Sequence, residues 1–370
     1  MSHALALLGL VVTGACGRDE SLPAPGNDVG SAGGVSVGAG GEGGDRGQSG
    51  VSAGGAGPMS GGGEVGVAGS EDGGLGGDAG ERGDGGGAGA AGAGGAASSG
   101  CDETPVAAGP VRFAVLGDYG SAGPEEAAVA ALVGDFDPDL VLTVGDNNYP
   151  DGEAATIDAN IGQYFHAFIC PYTGGYGAGA DRNRFFPTLG NHDWVADGAE
   201  PYLDYFELPG NERYYDLVWG DVHFFALDSD PHEPDGIGVD SIQATWLEER
   251  LEASTSKWQI VLMHHPPYSS SSRHGSTSEV QWPFAAWGAD LVIAGHDHAY
   301  ERLDVDGIVY VVNGLGGRSI YEFGTPVAGS VVRYNEGYGA TFVVTDETRL
   351  AADFVATDGS TPDSFEIPAD

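Results

Sequence analysis

The stretches Val261-Leu-Met-His-His-Pro-Pro-Tyr268 and Ala294-Gly-His-Asp-His-Ala-Tyr-Glu-Arg302 decide how this 370-residue chain is read. The first grows out of an apolar run, Ile260 to Met263, and the second out of another, Leu291 to Ala294. Aliphatic runs of that length predict buried strands. Both end abruptly in imidazoles. A strand end is a rigid mount near the surface, and neutral imidazole is the commonest metal ligand in proteins. His296 and His298 are two residues apart, a spacing that places side chains on one side of an extended chain. Either cluster alone reads equally well as a polar loop after a core strand.

Three earlier motifs favour metal. Val111 to Leu116 predicts a strand ending in Gly117-Asp118-Tyr119-Gly120. Leu140 to Val144 predicts the next, ending in Gly145-Asp146-Asn-Asn-Tyr149, and the extended run Phe185 to Leu189 leads into Gly190-Asn191-His192-Asp193. Glycine immediately precedes Asp118, Asp146, Asn191 and His296, where it permits tight turns and close backbone approach. Asp118, Asp146, Asn191, His264, His296, His298 and the phenol of Tyr149 make a mixed nitrogen and oxygen donor set, suited to borderline or hard ions. Seven donors are too many for one tetrahedral ion and about what two ions sharing a carboxylate need. Helices are expected over Pro124 to Val133, Ala154 to Phe168 and Val239 to Ala253, the last with Ile242, Trp246 and Leu251 on its apolar face. Further strands are expected over Tyr214 to Trp219, Val222 to Leu227, Ile308 to Val312, Ala340 to Val344 and Leu350 to Val355. Strands and helices alternate first and strands cluster late, which predicts an α/β domain of α+β type with mixed sheets and helices outside.

The ordered set GDYG, GDNNY, GNHD, VLMH and GHDHAYER resembles the calcineurin-like metallophosphoesterases, and among them the small, single-domain purple acid phosphatases. Tyr149, three residues after Asp146, and the Tyr-Glu-Arg after His298 are the marks of that subfamily. The resemblance covers Val111 to roughly Val355. It implies a four-layer αββα sandwich with two mixed sheets and two metal ions. A ferric ion would take Asp118, Tyr149, His298 and the bridging Asp146. A divalent Fe, Zn or Mn would take Asp146, Asn191, His264 and His296. Phenolate and carboxylate suit the harder ion, imidazole and amide the softer. A hydroxide generated at the metals would attack phosphorus in line. His192 corresponds to the family histidine that binds phosphate and protonates the leaving group. His274, followed by Gly275, corresponds to a His-Gly in the small enzymes, one residue further along. Asp193 is expected to orient His192, and His265 to cap its strand before Pro266-Pro267. His166, His223 and His232 stand in no motif. Gly314 to Gly317 lacks the Lys-Ser/Thr of a phosphate loop.

Composition sets the surroundings. About half of the 66 glycines lie between Ser21 and Gly100, with no aromatic residue and no apolar periodicity. Such a stretch cannot bury enough surface to offset its conformational entropy, so residues 17–100 are expected to be a disordered tether. The catalytic domain is then 101–370. From residue 101 there are 44 acidic and 11 basic residues, a formal charge of −33. That excludes the basic face of a nucleic-acid binder. It fits solubility outside the cell or a salty habitat. Ala4 to Val12 is too short to span a membrane but fits the core of a signal peptide. The run to Cys16 resembles a bacterial lipobox, so residues 1–16 are expected to be a lipoprotein-type signal with a lipid anchor on Cys16, ordinary secretion being the alternative. Either way the location is extracytoplasmic. Cys101 and Cys170 remain, as a disulfide or as two separate thiols.

The resulting expectation is an exported phosphatase acting on small phosphate monoesters. A phosphodiesterase or nucleotide pyrophosphohydrolase on the same site is the first alternative. A non-catalytic surface binding module is the second, although no ligand position is lost.

Overall fold

The computed structural model describes residues 100–369, and among them thirteen strands form two mixed sheets. The signal segment, Cys16 and the tether up to residue 99 lie outside the described residues. The first strands are β1 (Arg112–Leu116), β2 (Leu140–Thr143) and β3 (Phe185–Pro187). They run parallel, as βαβ crossovers require. A second sheet follows, built from β4 (Tyr215–Trp219), β5 (Val222–Ala226), β6 (Trp258–Leu262), β7 (Leu291–Ala294), β8 (Tyr300–Val305), β9 (Ile308–Asn313) and β10 (Ser330–Tyr334). Its order is β10-β8-β9-β7-β6-β5-β4, parallel from β9 through β5 and antiparallel at both ends. The chain then returns through β11 (Gly339–Thr345), β12 (Arg349–Ala356) and β13 (Asp363–Pro368). These add antiparallel strands to β1, giving the order β13-β12-β11-β1-β2-β3.

Side chains alternate across these strands, so each one feeds two cores. Phe224, Ile260, Leu262, Leu291 and Ile293 join the residues of β1 and β2 in the inter-sheet core, where Phe113 meets Phe224 edge-on at 5.0 Å. Phe225, Val261 and Val292 point the other way, into a second core. That core lies beneath a helix spanning Ile242–Ala253, which contributes Ala244, Leu247 and Leu251. On the far face of the first sheet the Pro124–Phe136 helix packs Phe136 against Phe342 at 4.6 Å. Helix, sheet, sheet, helix is the expected four-layer sandwich.

Some local expectations shift. The Ile242–Ala253 helix starts three residues late because Ser241 caps it, accepting from the Ala244 N–H. Ile242, expected on the apolar face, is 65% exposed, since the first helical turn projects beyond the sheet. Residues 154–168 are helical but not one α-helix: Ala154–Ile157 passes into a π-helical turn, Asp158–Gly162, and ends in a 3-10 turn, His166–Phe168. β8, β10 and β13 were not expected as strands. β8 and β13 each mix polar and apolar residues, and they meet across the sandwich through polar groups: Tyr300 Oη and Arg302 Nε both donate to Asp363 Oδ2 at 2.8 Å. Cys101 and Cys170 form a disulfide, with Cα atoms 5.9 Å apart. No helix among the described residues is long and apolar enough to cross a membrane.

Candidate metal centre

The parallel strands of both sheets deliver their carboxyl ends to one edge of the sandwich, the usual place for a site in such sheets. Asp118 follows β1, Asp146 follows β2, Asn191 lies four residues beyond β3, His264 follows β6, and His296 and His298 follow β7. Hydrogen bonds stitch these ends together. Asp118 N donates to Gly145 O at 3.0 Å, His296 N to Asp118 Oδ2 at 2.9 Å, and His192 N to Asp146 Oδ1 at 2.9 Å. The turns are forced. Asp118 (φ 57°), Asp146 (φ 52°) and His296 (φ 69°) occupy the left-handed region, where residues other than glycine are uncommon and strained. Gly145 also sits where a Cβ would lie 2.6 Å from His264 Nδ1, so a side chain there would displace the imidazole.

All seven expected donors converge. Around the phenol, Tyr149 Oη lies 2.8 Å from Asp146 Oδ2, 3.2 Å from His298 Nε2 and 3.4 Å from Asp118 Oδ1. Around His264, Nε2 lies 3.1 Å from Asn191 Oδ1, 3.2 Å from His296 Nδ1 and 3.4 Å from Asp146 Oδ1. Asp146 reaches into both groups, one oxygen to each. The floor, Asp118, Asp146 and His264, is fully buried.

The electrostatics of this cluster suit cations. His264 Nδ1 meets the Val144 carbonyl at 2.8 Å, which fixes the proton on Nδ1 and leaves Nε2 as a bare lone pair. That lone pair faces an amide oxygen, a carboxylate oxygen and another ring nitrogen. Lone pairs that can converge in this way suit a shared positive ion. Burial, with Asp146 alongside, pushes the Asp118 carboxyl well above the usual carboxylate range. Burial also holds the His264 and His296 rings well below the ordinary imidazole range, and His298 down to about 4. The imidazoles are therefore neutral, the form that ligates metal. The donor set fits two metal ions.

Around this floor stand residues that motif reading placed with mixed success. His192 lies 4.5 Å ring to ring from Tyr149, its Nδ1 held by the Pro150 carbonyl and its Nε2 3.9 Å from Asp146 Oδ2. His274 lies 4.1 Å ring to ring from His296. Asp193 does not hold His192. Its carboxylate accepts from Asn147 N, Asn147 Nδ2 and Gly190 N, tying the Asp146 loop to the Asn191 turn, and burial pushes it up to about 8. His265 does more than cap a strand. Its ring packs 4.4 Å from His296 and 5.0 Å from His264, and its Nδ1 meets Ser229 Oγ at 3.1 Å. Tyr321, absent from the motif reading, stacks on His298 at 4.0 Å and 9°. Asp297 and Glu301 were also missed. Asp297 accepts from Ser269 Oγ and Gly275 N, and Glu301 from Ser270 and Ser330, clamping the loop that carries His274. Their signal was visible in hindsight: both are acidic residues inside the last motif with no ligand role.

Comparison with known proteins agrees with the geometry. The family model of the calcineurin-like phosphoesterases matches residues 111–300. The chain belongs to that family. Its fold is that of a metallophosphoesterase, and its relatives are phosphoric ester hydrolases. Purple acid phosphatase 17 of Arabidopsis thaliana is 28% identical over 249 residues, covering 57% of this chain and 70% of that protein. The Fe(3+)-Zn(2+) purple acid phosphatase 12 of the same plant is 33% identical over 152 residues, covering 35% of this chain and 31% of that protein. The structure of purple acid phosphatase PPD1 from yellow lupin superposes with a TM-score of 0.58 at 20% identity, covering 72% of this chain and 55% of that one. The chain thus spans only part of each. Family and geometry together support a dinuclear metal centre.

Proposed function

We propose that this protein is a phosphatase that hydrolyses phosphate monoesters at a pair of metal ions. The observation that carries the reading is the sharing of Asp146 between two donor groups whose lone pairs face one another. Asp118, Tyr149, His298 and Asp146 would hold one ion, ferric on this reading. Asp146, Asn191, His264 and His296 would hold a divalent Fe, Zn or Mn. When bound, such a pair supplies Lewis acidity at phosphoryl oxygens and makes water nucleophilic near neutral pH.

The chain's own residues supply the rest. The buried floor fixes the donors, so little reorganisation remains when substrate arrives. His192 keeps Nδ1 on the Pro150 carbonyl and turns Nε2 toward the site, 3.9 Å from Asp146 Oδ2. It can therefore donate to a departing alkoxide. His274, beside His296, borders the site on the other donor group, and the Asp297–Glu301 clamp holds its loop. The Cys101–Cys170 disulfide supports an oxidising, extracytoplasmic location, in keeping with a signal segment and a lipid anchor at Cys16.

The test is turnover of p-nitrophenyl phosphate and of bis-p-nitrophenyl phosphate by full-length protein loaded with iron and zinc. Faster turnover of the monoester, lost in Asp146→Asn together with metal content, is expected. Preference for the diester would replace the phosphatase reading with a diesterase. No turnover of either ester by protein holding two metals would refute catalysis.

A further inference from the structure

The described domain is strongly acidic, yet two arginines stand over the candidate metal centre without a carboxylate. Four arginines elsewhere pair with carboxylates, Arg182 with Asp102, Arg213 with Glu233, Arg302 with Asp363 and Arg349 with Glu366, while Arg112, Arg184 and Arg333 donate to backbone carbonyls. Among the described residues no carboxylate lies within ion-pair distance of Arg273 or Arg318, and neither guanidinium donates a hydrogen bond. Arg318 instead lies over the Tyr149 ring at 4.9 Å, and Arg273 over the Tyr321 ring at 4.9 Å. Both side chains are exposed.

The rings beneath them form one row. Tyr149 meets His298 at 6.3 Å and His298 stacks on Tyr321 at 4.0 Å, so a guanidinium covers each end of a wall whose middle is a ligand histidine. Both arginines are mounted on fixed loops. Arg318 N donates to the Asp118 carbonyl at 3.1 Å. Two residues before it, Gly316 packs so closely that a Cβ would lie 2.3 Å from Gly117 O. Arg273 N donates to Ser271 Oγ, and its loop is zipped to the Arg318 loop through Ser272 N to Glu322 O at 2.9 Å and Gly324 N to Ser270 O at 2.7 Å. Beside Arg273 a shallow cleft of about 530 Å³ opens between Ser272, Ile320, Tyr321 and Glu322.

Guanidinium groups stacked on aromatic rings keep their hydrogen-bonding edges free and lose little entropy on binding an anion. The scissile phosphate is served by the metal donors and His192, so two further cations exceed what one phosphate requires. We propose that Arg273 and Arg318 form a recognition rim for a second anionic group, selecting phosphate monoesters whose leaving group carries its own carboxylate or phosphate. This rests on the phosphatase reading and names its substrate class. The long-range charge of the domain opposes a more anionic substrate, so any preference for one must arise at this rim.

The test uses a pair of esters that differ by one carboxylate, glycerol 3-phosphate and 3-phosphoglycerate. Metal-loaded full-length protein is assayed beside Arg273→Gln, Arg318→Gln and the double variant. Expected is a kcat/KM about tenfold or more higher for 3-phosphoglycerate, from one charge-assisted contact, with the preference erased in the double variant. Calorimetric affinity for methylenediphosphonate relative to inorganic phosphate should fall in parallel. Equal kcat/KM for the two esters in the unaltered protein would overturn the proposal. So would a preference that survives both substitutions, or an equal loss on both esters. If neither ester turns over, the phosphatase reading fails while the calorimetric ratio still decides the rim: a ratio sensitive to both arginines sustains it, an insensitive one ends it.

Discussion

Removing the Cys101–Cys170 disulfide, as Cys101→Ser/Cys170→Ser, should destabilise the domain without disturbing its metal site. The bridge spans 69 residues of sequence. In the chain-entropy model a closed loop of that length removes about 15 cal/mol/K from the unfolded chain, or about 4 kcal/mol at 25 °C. Native contacts would keep part of the freed segment in place. Asp102 N donates to Asp181 O at 2.7 Å, Arg182 pairs with Asp102, and Val106 packs on the core. The first two are exposed and weak, so they do not substitute for the bridge. The bridge also lies at the entry to β3, where Arg184 N meets Phe168 O, whereas the metal donors follow the opposite ends of the parallel strands. A domain of this size shifts its midpoint by roughly 2–4 °C per kcal/mol, so Tm should fall by about 10 °C. Urea unfolding and thermal scans of oxidised, reduced and double-Ser protein measure this. A loss below about 1 kcal/mol would refute the loop-closure account. A loss of the expected size that came with metal release would refute the separation of bridge from site.

Three shorter expectations follow from named residues. Iron-loaded, oxidised protein should show a visible phenolate-to-iron charge-transfer band that Tyr149→Phe removes; stoichiometric iron in a colourless protein would exclude Tyr149 as a ligand. Burial pushes Glu126 from 4.5 up to about 8, so its contribution to stability is full below about pH 4.5 and is lost as pH rises through about 8. Glu126→Gln should therefore gain about 3 kcal/mol over the unaltered protein between pH 5 and pH 8 by urea unfolding, and an unchanged difference would exclude the buried acid. The −33 charge from residue 101 onward should slow encounter with dianionic p-nitrophenyl phosphate. Its kcat/KM should rise between about 0.01 M and 0.15 M inert salt, as the Debye length shrinks from ~30 Å to ~8 Å; a fall would mean that the local rim outweighs the distant acid.

What could be read from sequence divides along physical lines. Short aliphatic runs with polar flanks located β1, β2, β5, β6, β7, β9 and β11, because a strand buried on both faces admits few other residues, and β12 showed by its alternation. β8 and β13 escaped because charged residues interrupt their apolar positions, as in Tyr300-Glu301-Arg302 and Phe365-Glu366, although each pairs with its neighbour in sequence, β9 and β12. The metal donors were legible because the chemistry limits residue type and all but Tyr149 follow closely on a glycine or a strand end. Tyr321 and Arg318 were not, since they act by stacking, and stacking leaves no spacing rule in the chain. The glycines of the Gly314 to Gly317 run serve the site by close packing, with Gly314 and Gly316 set against the Asp118 turn.

The strained turns, the facing lone pairs and the paired acids have one physical consequence. Left-handed Asp118, Asp146 and His296 and a carboxyl pair buried side by side cost free energy in the bare protein. Such costs persist only when surrounding structure enforces them. Here the enforcement comes from both sheets. The Val144 carbonyl at the end of β2 fixes the tautomer of His264 beyond β6, and Asp118 beyond β1 holds the backbone of His296 beyond β7. The sandwich is thus held together at this edge by the same groups that would bind the ions. Cation binding would relieve the repulsion that folding creates, which couples the stability of the sandwich to the loading of its site.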